Sequence, residues 1–343
     1  MKLSMPVTYA GDPVQTAAQV VAAEKVGLDN AWVAEVYTFD APTLMGYLAA
    51  KTERVEIGAG ILPIYSRTPT LIGMTAAGLD AVSGGRAVLG LGVSGPQVIE
   101  GWHGVPYDKP VARTREVIEI CRAVWRREVV QHKGLYNIPL PPDQGTGLGK
   151  PLKLINQPVR DRIPIWVAAL GEKNVELTAE LAEGWLPFLV LPEKLRDVWG
   201  SALDAGAAKR APELGPLQIN GGGFLALEEE FFGVAESVAR GMAALYVGGM
   251  GARGKNFYNT VLRRYGYPDE ATLVQDLYLE KKRDEAAAAI PADLIARTNL
   301  IGPPGYVKER IAALREAGVT HLHVNPIGSD PIKLLEQVKE WIS

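Results

Sequence analysis

One cysteine in 343 residues leaves nothing for an intramolecular disulfide, and a reducing, cytoplasmic setting is the expectation. That residue, Cys121, stands in VIEICRAVW at a helical apolar spacing, which predicts a buried core thiol rather than a nucleophile. Basic residues do not dominate: 36 lysines and arginines face 39 aspartates and glutamates, a net charge of −3. No positive face therefore advertises nucleic acid or anionic lipid as a partner. No stretch approaches the roughly 20 apolar residues of a membrane span, and the opening MKLSMPVTYAGDP is too short and too proline-broken for a signal peptide. Histidine is scarce as well. His321 and His323 form an H-x-H pair on the last strand, but only His103 and His132 accompany them. A metal-dependent barrel would carry such a pair on its first strand with further histidines later, so packing and hydrogen bonding is the expectation and no metal site is assigned.

What is present is a regular beat. Short apolar runs at Lys2–Pro6, Asn30–Ala34, Val55–Gly60, Ala87–Gly92, Ile163–Ala169, from Trp185, Leu217–Leu227 and Val319–Asn325 read as eight strands. Helix-like stretches fall between them, opened by Asp12-Pro13 and Thr68-Pro69 in the manner of capped helices and closed by Gly27 and Gly84. Alternating strands and helices imply right-handed crossovers and parallel strands. Eight of them, with no linker dividing the chain, predict an α/β fold of the (β/α)8 TIM-barrel kind over residues 1–343, in preference to a doubly wound open sheet. Two segments break the beat and read as insertions: the proline- and glycine-rich 131–161, and the mostly helical 228–290.

The stretch IPIWVAALGEKNVELTAELAEGWLP, Ile163 to Pro187, reads as strand, glycine turn, helix, glycine, strand. In a parallel α/β protein the turn after a strand faces the ligand side, and free amides at the next helix start attract phosphate. On the plainer reading, Gly171 makes a turn and Gly184 ends a helix.

Barrel enzymes work at the C-terminal strand ends, and here those ends hold few ionisable groups. They offer apolar side chains, glycines and backbone, which suits a flat cofactor that brings its own chemistry better than a hydrolase. Gly90-Leu91-Gly92-Val93-Ser94-Gly95 matches G-x-G-x-x-G, but it ends the fourth strand and does not open directly into a helix, against a nicotinamide site. Glu35 closes the second strand and could orient a ring, accept a proton or cap a loop. His103, in GWHG, could serve as an acid. Arg253 and Lys255 form a small basic cluster that is either solvated or a lid against an anion.

At these strand ends the sequence resembles the luciferase-like monooxygenase superfamily, in its coenzyme F420-dependent oxidoreductase branch. The pieces that carry the resemblance are AWVAEVY, IGAGILPIYSRTP, RAVLGLGVSGPQVIEGWHG, IPIWVAALGEKNVELTAELAEGWLP, GGMGARGKNFYN and GVTHLHVNPIG, in order along nearly the whole chain. The resemblance implies a deazaflavin ring against Gly60, Ile61 and Leu62, with a non-proline cis peptide at Gly60-Ile61. It implies a ribityl-chain loop at Ser94, Gly95, Pro96 and Gln97. It also implies a phosphate site at Ala168, Ala169, Leu170 and Gly171 with Gly184, Trp185 and Leu186.

One departure stands out. Sugar-phosphate dehydrogenases of this branch carry an Asp-His pair where this chain has Glu35-Val36, which argues against that acid–base mechanism and that substrate. The implied activity is hydride transfer between C5 of F420 and a small organic substrate, with Glu35 and His103 as candidate catalytic groups. Lys173 and Arg67, near the phosphate site, lean toward the polyanionic tail of F420. The alternatives are an FMN-dependent monooxygenase using reduced flavin and oxygen, and a flavin-binding protein without catalysis. The resemblance also implies a homodimer or higher homo-oligomer.

Overall fold

Several helices start where the sequence supplies a cap. Asp12, Asp40, Thr68 and Asp330 each accept a backbone amide at the head of α1 (Pro13–Lys25), α2 (Ala41–Lys51), α3 (Pro69–Ser83) and α14 (Pro331–Ile342), and a proline follows within the first turn in every case. The computed structural model describes residues 1–8 and 10–343. Ten strands lie in chain order: β1 (Lys2–Val7), β2 (Asn30–Val33), β3 (Glu56–Ala59), β4 (Leu62–Pro63), β5 (Ala87–Gly92), β6 (Ile165–Ala168), β7 (Gly184–Trp185), β8 (Gln218–Ala226), β9 (Leu300–Ile301) and β10 (His321–Pro326). Parallel pairing runs β1–β2–β3–β5–β6–β7–β8–β10 and returns from β10 to β1, which closes an eight-stranded barrel. The two-residue strands β4 and β9 extend the edges of β5 and β8. The eight expected strands are the eight that close the ring.

Between the strands lie α4 (Pro96–Gly101), α5 (Pro110–Trp125), α6 (Glu172–Leu181), α7 (Leu195–Ala207), α8 (Glu229–Ala244), α9 (Phe257–Arg264), α10 (Pro268–Leu279), α11 (Arg283–Ala288), α12 (Ala292–Thr298) and α13 (Pro304–Glu316). The short α4 falls in a stretch that sequence periodicity reads as loop, because six residues are too few to show a period. Helices α8 to α11 fill the 228–290 insertion. The 131–161 excursion carries one 3-10 turn, Pro142–Gln144. It is tied back at both ends: the Glu116 carboxylate accepts the amides of Leu135 and Tyr136, and the Arg160 guanidinium pairs with buried Asp80 and donates to the Ala87 carbonyl.

Two indoles fill the barrel interior. The Trp32 and Trp166 rings lie 5.2 Å apart, and the His321 ring stands edge-on to Trp166 at 4.8 Å. Glycines face them: a Cβ on Gly58 would come within 2.4 Å of the Trp32 ring, and one on Gly184 within 2.0 Å of the Trp166 ring. Ser4 continues the filling by bonding Asn220 at 2.8 Å and His323 Nδ1 at 3.2 Å. The H-x-H pair therefore packs and hydrogen-bonds inside the barrel. Burial pushes both imidazoles down to about 4, with the Lys2 and amino-terminal charges adding to it at His321 against an opposing pull from Asp29, so they stay neutral. Cys121 is fully buried in α5, its Sγ near the Pro69 carbonyl, and burial pushes its thiol up.

Candidate active site

The strand ends owe their shape to a bulge. Gly58 pairs with Val88 and Leu62 with Leu91, so three residues (59–61) face two (89–90) across the ladder. One extra residue bends the chain out of the pleat, and at this point the Gly60-Ile61 peptide is cis. The bulge leans on β5. A Cβ on Gly90 would fall 1.6 Å from the Ala59 carbonyl oxygen, and one on Gly92 would meet Ile61 Cγ1 at 2.7 Å. The first two glycines of the G-x-G-x-x-G run thus make room for a neighbouring strand. Beyond them Ser94 takes a left-handed conformation, φ 55°, and Gly95 sits at the head of α4 with the Gln97 Oε1 folded back over it.

Glu35 leaves β2 buried, with its carboxylate fully engaged. Arg67 donates Nη1 to Oε1 at 2.6 Å and Nη2 to Oε2 at 2.8 Å, and the Ala41 amide donates to Oε2 at 2.8 Å. The hydrogen bond to Glu35 holds the Arg67 guanidinium above its ordinary pKa, against the opposing effect of burial. Arg67 is therefore committed inside the protein and is not a free cation for an anionic tail. His103 keeps a backbone bond from its amide to the Val98 carbonyl, while its Nε2 is buried with no hydrogen-bond partner among the described residues. Its neighbour Trp102 and Tyr37 of the β2 loop, each 66% exposed, face one another at 6.3 Å across the mouth.

At the end of β6 two indoles fix the main chain. Trp185 Nε1 donates to the Ala169 carbonyl at 2.8 Å and Trp199 Nε1 to the Leu170 carbonyl at 2.9 Å. With those carbonyls held, Gly171 opens α6 without any side-chain cap; Asn174 and Val175 are the first amides to turn inward, both onto the Gly171 carbonyl. The amides of Gly171, Glu172 and Lys173 donate to no described residue, which leaves donors and the positive helix end for an anion. Ala168 stays half-buried on the same strand end. Gly184 faces the Trp166 ring and Trp185 is wholly buried, so neither presents a side chain to the mouth. Leu186 packs on the interior cluster of Trp32, Val88 and Trp166.

The insertion reaches this end of the barrel, through aromatic side chains that sequence reasoning did not single out rather than through the Arg253 and Lys255 pair it considered for a lid. The Phe257 ring sits where a Cβ on Gly171 would be, 2.9 Å away, and Arg264 pairs with Glu172 at 2.9 Å, so α9 crosses the head of α6. Tyr258 packs edge-on against Phe188 and Tyr246. Across from it Tyr107 stacks on Tyr65 at 5.1 Å. Burial pushes the Tyr258 and Tyr107 phenols up, so both stay protonated. Arg253 is occupied by Asp276 at 2.8 Å, Lys173 by Glu176 at 3.2 Å, and Lys255 has no ion pair among the described residues. No cluster of metal-ligating side chains occurs among the described residues, nor is any described helix long and apolar enough to cross a membrane. The mouth is a mostly uncharged cradle of backbone, small residues and neutral rings.

The profile of the luciferase-like monooxygenases matches residues 2–321. The chain belongs to that family. A Mycobacterium tuberculosis protein that carries the name of a coenzyme F420-dependent oxidoreductase is 39% identical over 341 residues, covering 97% of each chain. The 5,10-methylenetetrahydromethanopterin reductase of Archaeoglobus fulgidus is 28% identical over 93% of this chain and 92% of its own. In fold, the coenzyme F420-dependent tetrahydromethanopterin reductase of Methanopyrus kandleri superposes with a TM-score of 0.80 at 22% identity, covering 98% of this chain and 96% of that one. Within this luciferase-like barrel the bulge, the Ser94–Gln97 turn and the uncapped head of α6 occupy successive strand ends.

Proposed function

We propose that this luciferase-like protein is an F420-dependent oxidoreductase that moves a hydride between the deazaflavin and a small organic substrate. The observation that carries the reading is the near-full-length similarity to a protein named for F420-dependent oxidoreduction, joined to a mouth whose donor set suits a flat phosphorylated ring. In that assignment the residues that would hold the cofactor are Gly60, Ile61 and Leu62 behind the ring, Ser94 to Gln97 along its side chain, and the Gly171, Glu172 and Lys173 amides at the phosphate. When bound, the deazaflavin supplies hydride chemistry at its C5.

The chain supplies placement and proton control. The bulge covers one side of the cradle, so a substrate approaches from the other. Glu35, saturated by Arg67 and Ala41, is assigned as a positioning residue: it fastens the end of β2 to the head of α2 and to the segment that follows the bulge. His103 is assigned the proton, because its buried Nε2 is the one imidazole nitrogen at the mouth without a partner among the described residues. A homo-oligomer is supported by exposed apolar side chains along α3, Leu71, Met74 and Val82, and light scattering reads it directly. The reading is tested by turnover of reduced F420 with a panel of ketones, aldehydes and enones; no turnover with any of them, despite tight F420 binding, points to a binding protein instead.

A further inference from the structure

We propose that the substrate carries a neutral hydrocarbon portion, and that it lodges in a cavity of about 750 Å³ between the heads of α1 and α2. This rests on the oxidoreductase reading only for the word substrate. The cavity adjoins the mouth: Val33 and Ala34 line it, and the next residue is Glu35. Its other walls are apolar, chiefly Val14, Phe39, Leu44 and Tyr47. A volume of this order lies within the ~300–1,000 Å³ of small-molecule pockets, far more than a stray packing gap.

The charges say which ligands are refused. Among the described lining residues the only carboxylate is Asp40, whose two oxygens take the Thr43 amide at 3.2 Å and the Thr43 hydroxyl at 2.8 Å. Asp12 stands beside Val14 and takes its amide at 2.8 Å. No lysine or arginine is among the described lining residues, and Lys51 lies over the Tyr47 ring. A carboxylate in the lining and no lysine or arginine among the described lining residues disfavour a fatty acid, a phosphate or a sulfate, and leave an uncharged chain bearing a ketone, aldehyde or alcohol. Phe39, 84% exposed at the rim, supplies apolar area that such a chain would cover.

The test is calorimetric binding of alkan-2-ones, from butan-2-one to decan-2-one, to the full chain without cofactor. Affinity is expected to rise about fourfold per added methylene until the cavity is filled. Val14→Trp, a change at a 61% exposed position of the cavity wall, is expected to flatten the rise, and Leu44→Trp repeats the test should the first variant not fold. A flat series in the unaltered protein overturns the proposal. So does a Val14→Trp protein that keeps the full rise, or one whose molar mass in light scattering drops, which would show that a second copy covers the groove. Chain-length-dependent binding with no turnover of any alkanone removes the oxidoreductase reading and leaves the cavity assignment standing.

Discussion

Arg67 closes on Glu35 with both terminal guanidinium nitrogens, 2.6 and 2.8 Å away, and neither side chain is more than 15% exposed. A bidentate pair this sheltered holds two loops in register at the barrel mouth. Breaking it leaves one charge buried and unmatched, a loss of about 3–5 kcal/mol. Arg67→Ala and Glu35→Gln are therefore each expected to lower urea stability by an amount of that order. The double variant should cost much less than the sum, because the two changes remove one shared interaction. Glu35→Gln with unchanged stability and abolished turnover would instead make Glu35 a reacting group.

The bulge depends on two glycines of unequal tolerance. Gly90→Ala places a methyl on the Ala59 backbone carbonyl, which cannot move away without unpairing β3, and the variant is expected not to accumulate folded. Gly92→Ala meets the Ile61 side chain, which can turn, so a cost of about 1–3 kcal/mol is expected. Adding Ile61→Ala should restore the stability of Gly92→Ala by chemical denaturation while cofactor affinity stays low.

Gly171 and Gly184 separate in the same way. Gly184→Ala collides with the fully packed Trp166 ring and should lower the melting temperature by several degrees. Gly171→Ala meets the edge of the exposed Phe257 ring, so its stability should change little. Its effect is expected on cofactor binding, read by titration, through displacement of α9 from the head of α6.

The two barrel histidines set an acid limit. Their folded values, about 4, lie below the 6.5 of an unhindered imidazole, so the unfolded chain binds more protons between those limits. Stability is then complete above pH 6.5 and falls as pH drops toward 4, by up to about 3 kcal/mol per histidine. His323→Gln is expected to reduce that slope in denaturation curves taken across the window; an unaltered slope would mean that another group drives the loss.

Much of the barrel was legible because most strands are short apolar runs with a glycine or proline at one end, and that punctuation is local. Cys121 and the H-x-H pair were legible for the same reason, since their spacing already placed them on packed faces. The Arg67–Glu35 pair was not, because it joins residues 32 apart whose meeting is decided by the β2–β3 register and the bulge. Gly184 looked like a helix stop. Its cause is Trp166 on the neighbouring strand, which no local pattern reveals. Tyr107, Phe257 and Tyr258 escaped notice because loop and insertion segments carry no period that says which face turns to the mouth.

The central claim is that this mouth is shaped for a deazaflavin. Titrating the purified cofactor-free chain with F420 and, separately, with FMN, and following ligand fluorescence, tests it most directly. The account predicts saturable F420 binding that weakens in Gly171→Ala, with FMN binding far weaker; tight FMN binding with no response to F420 would contradict it.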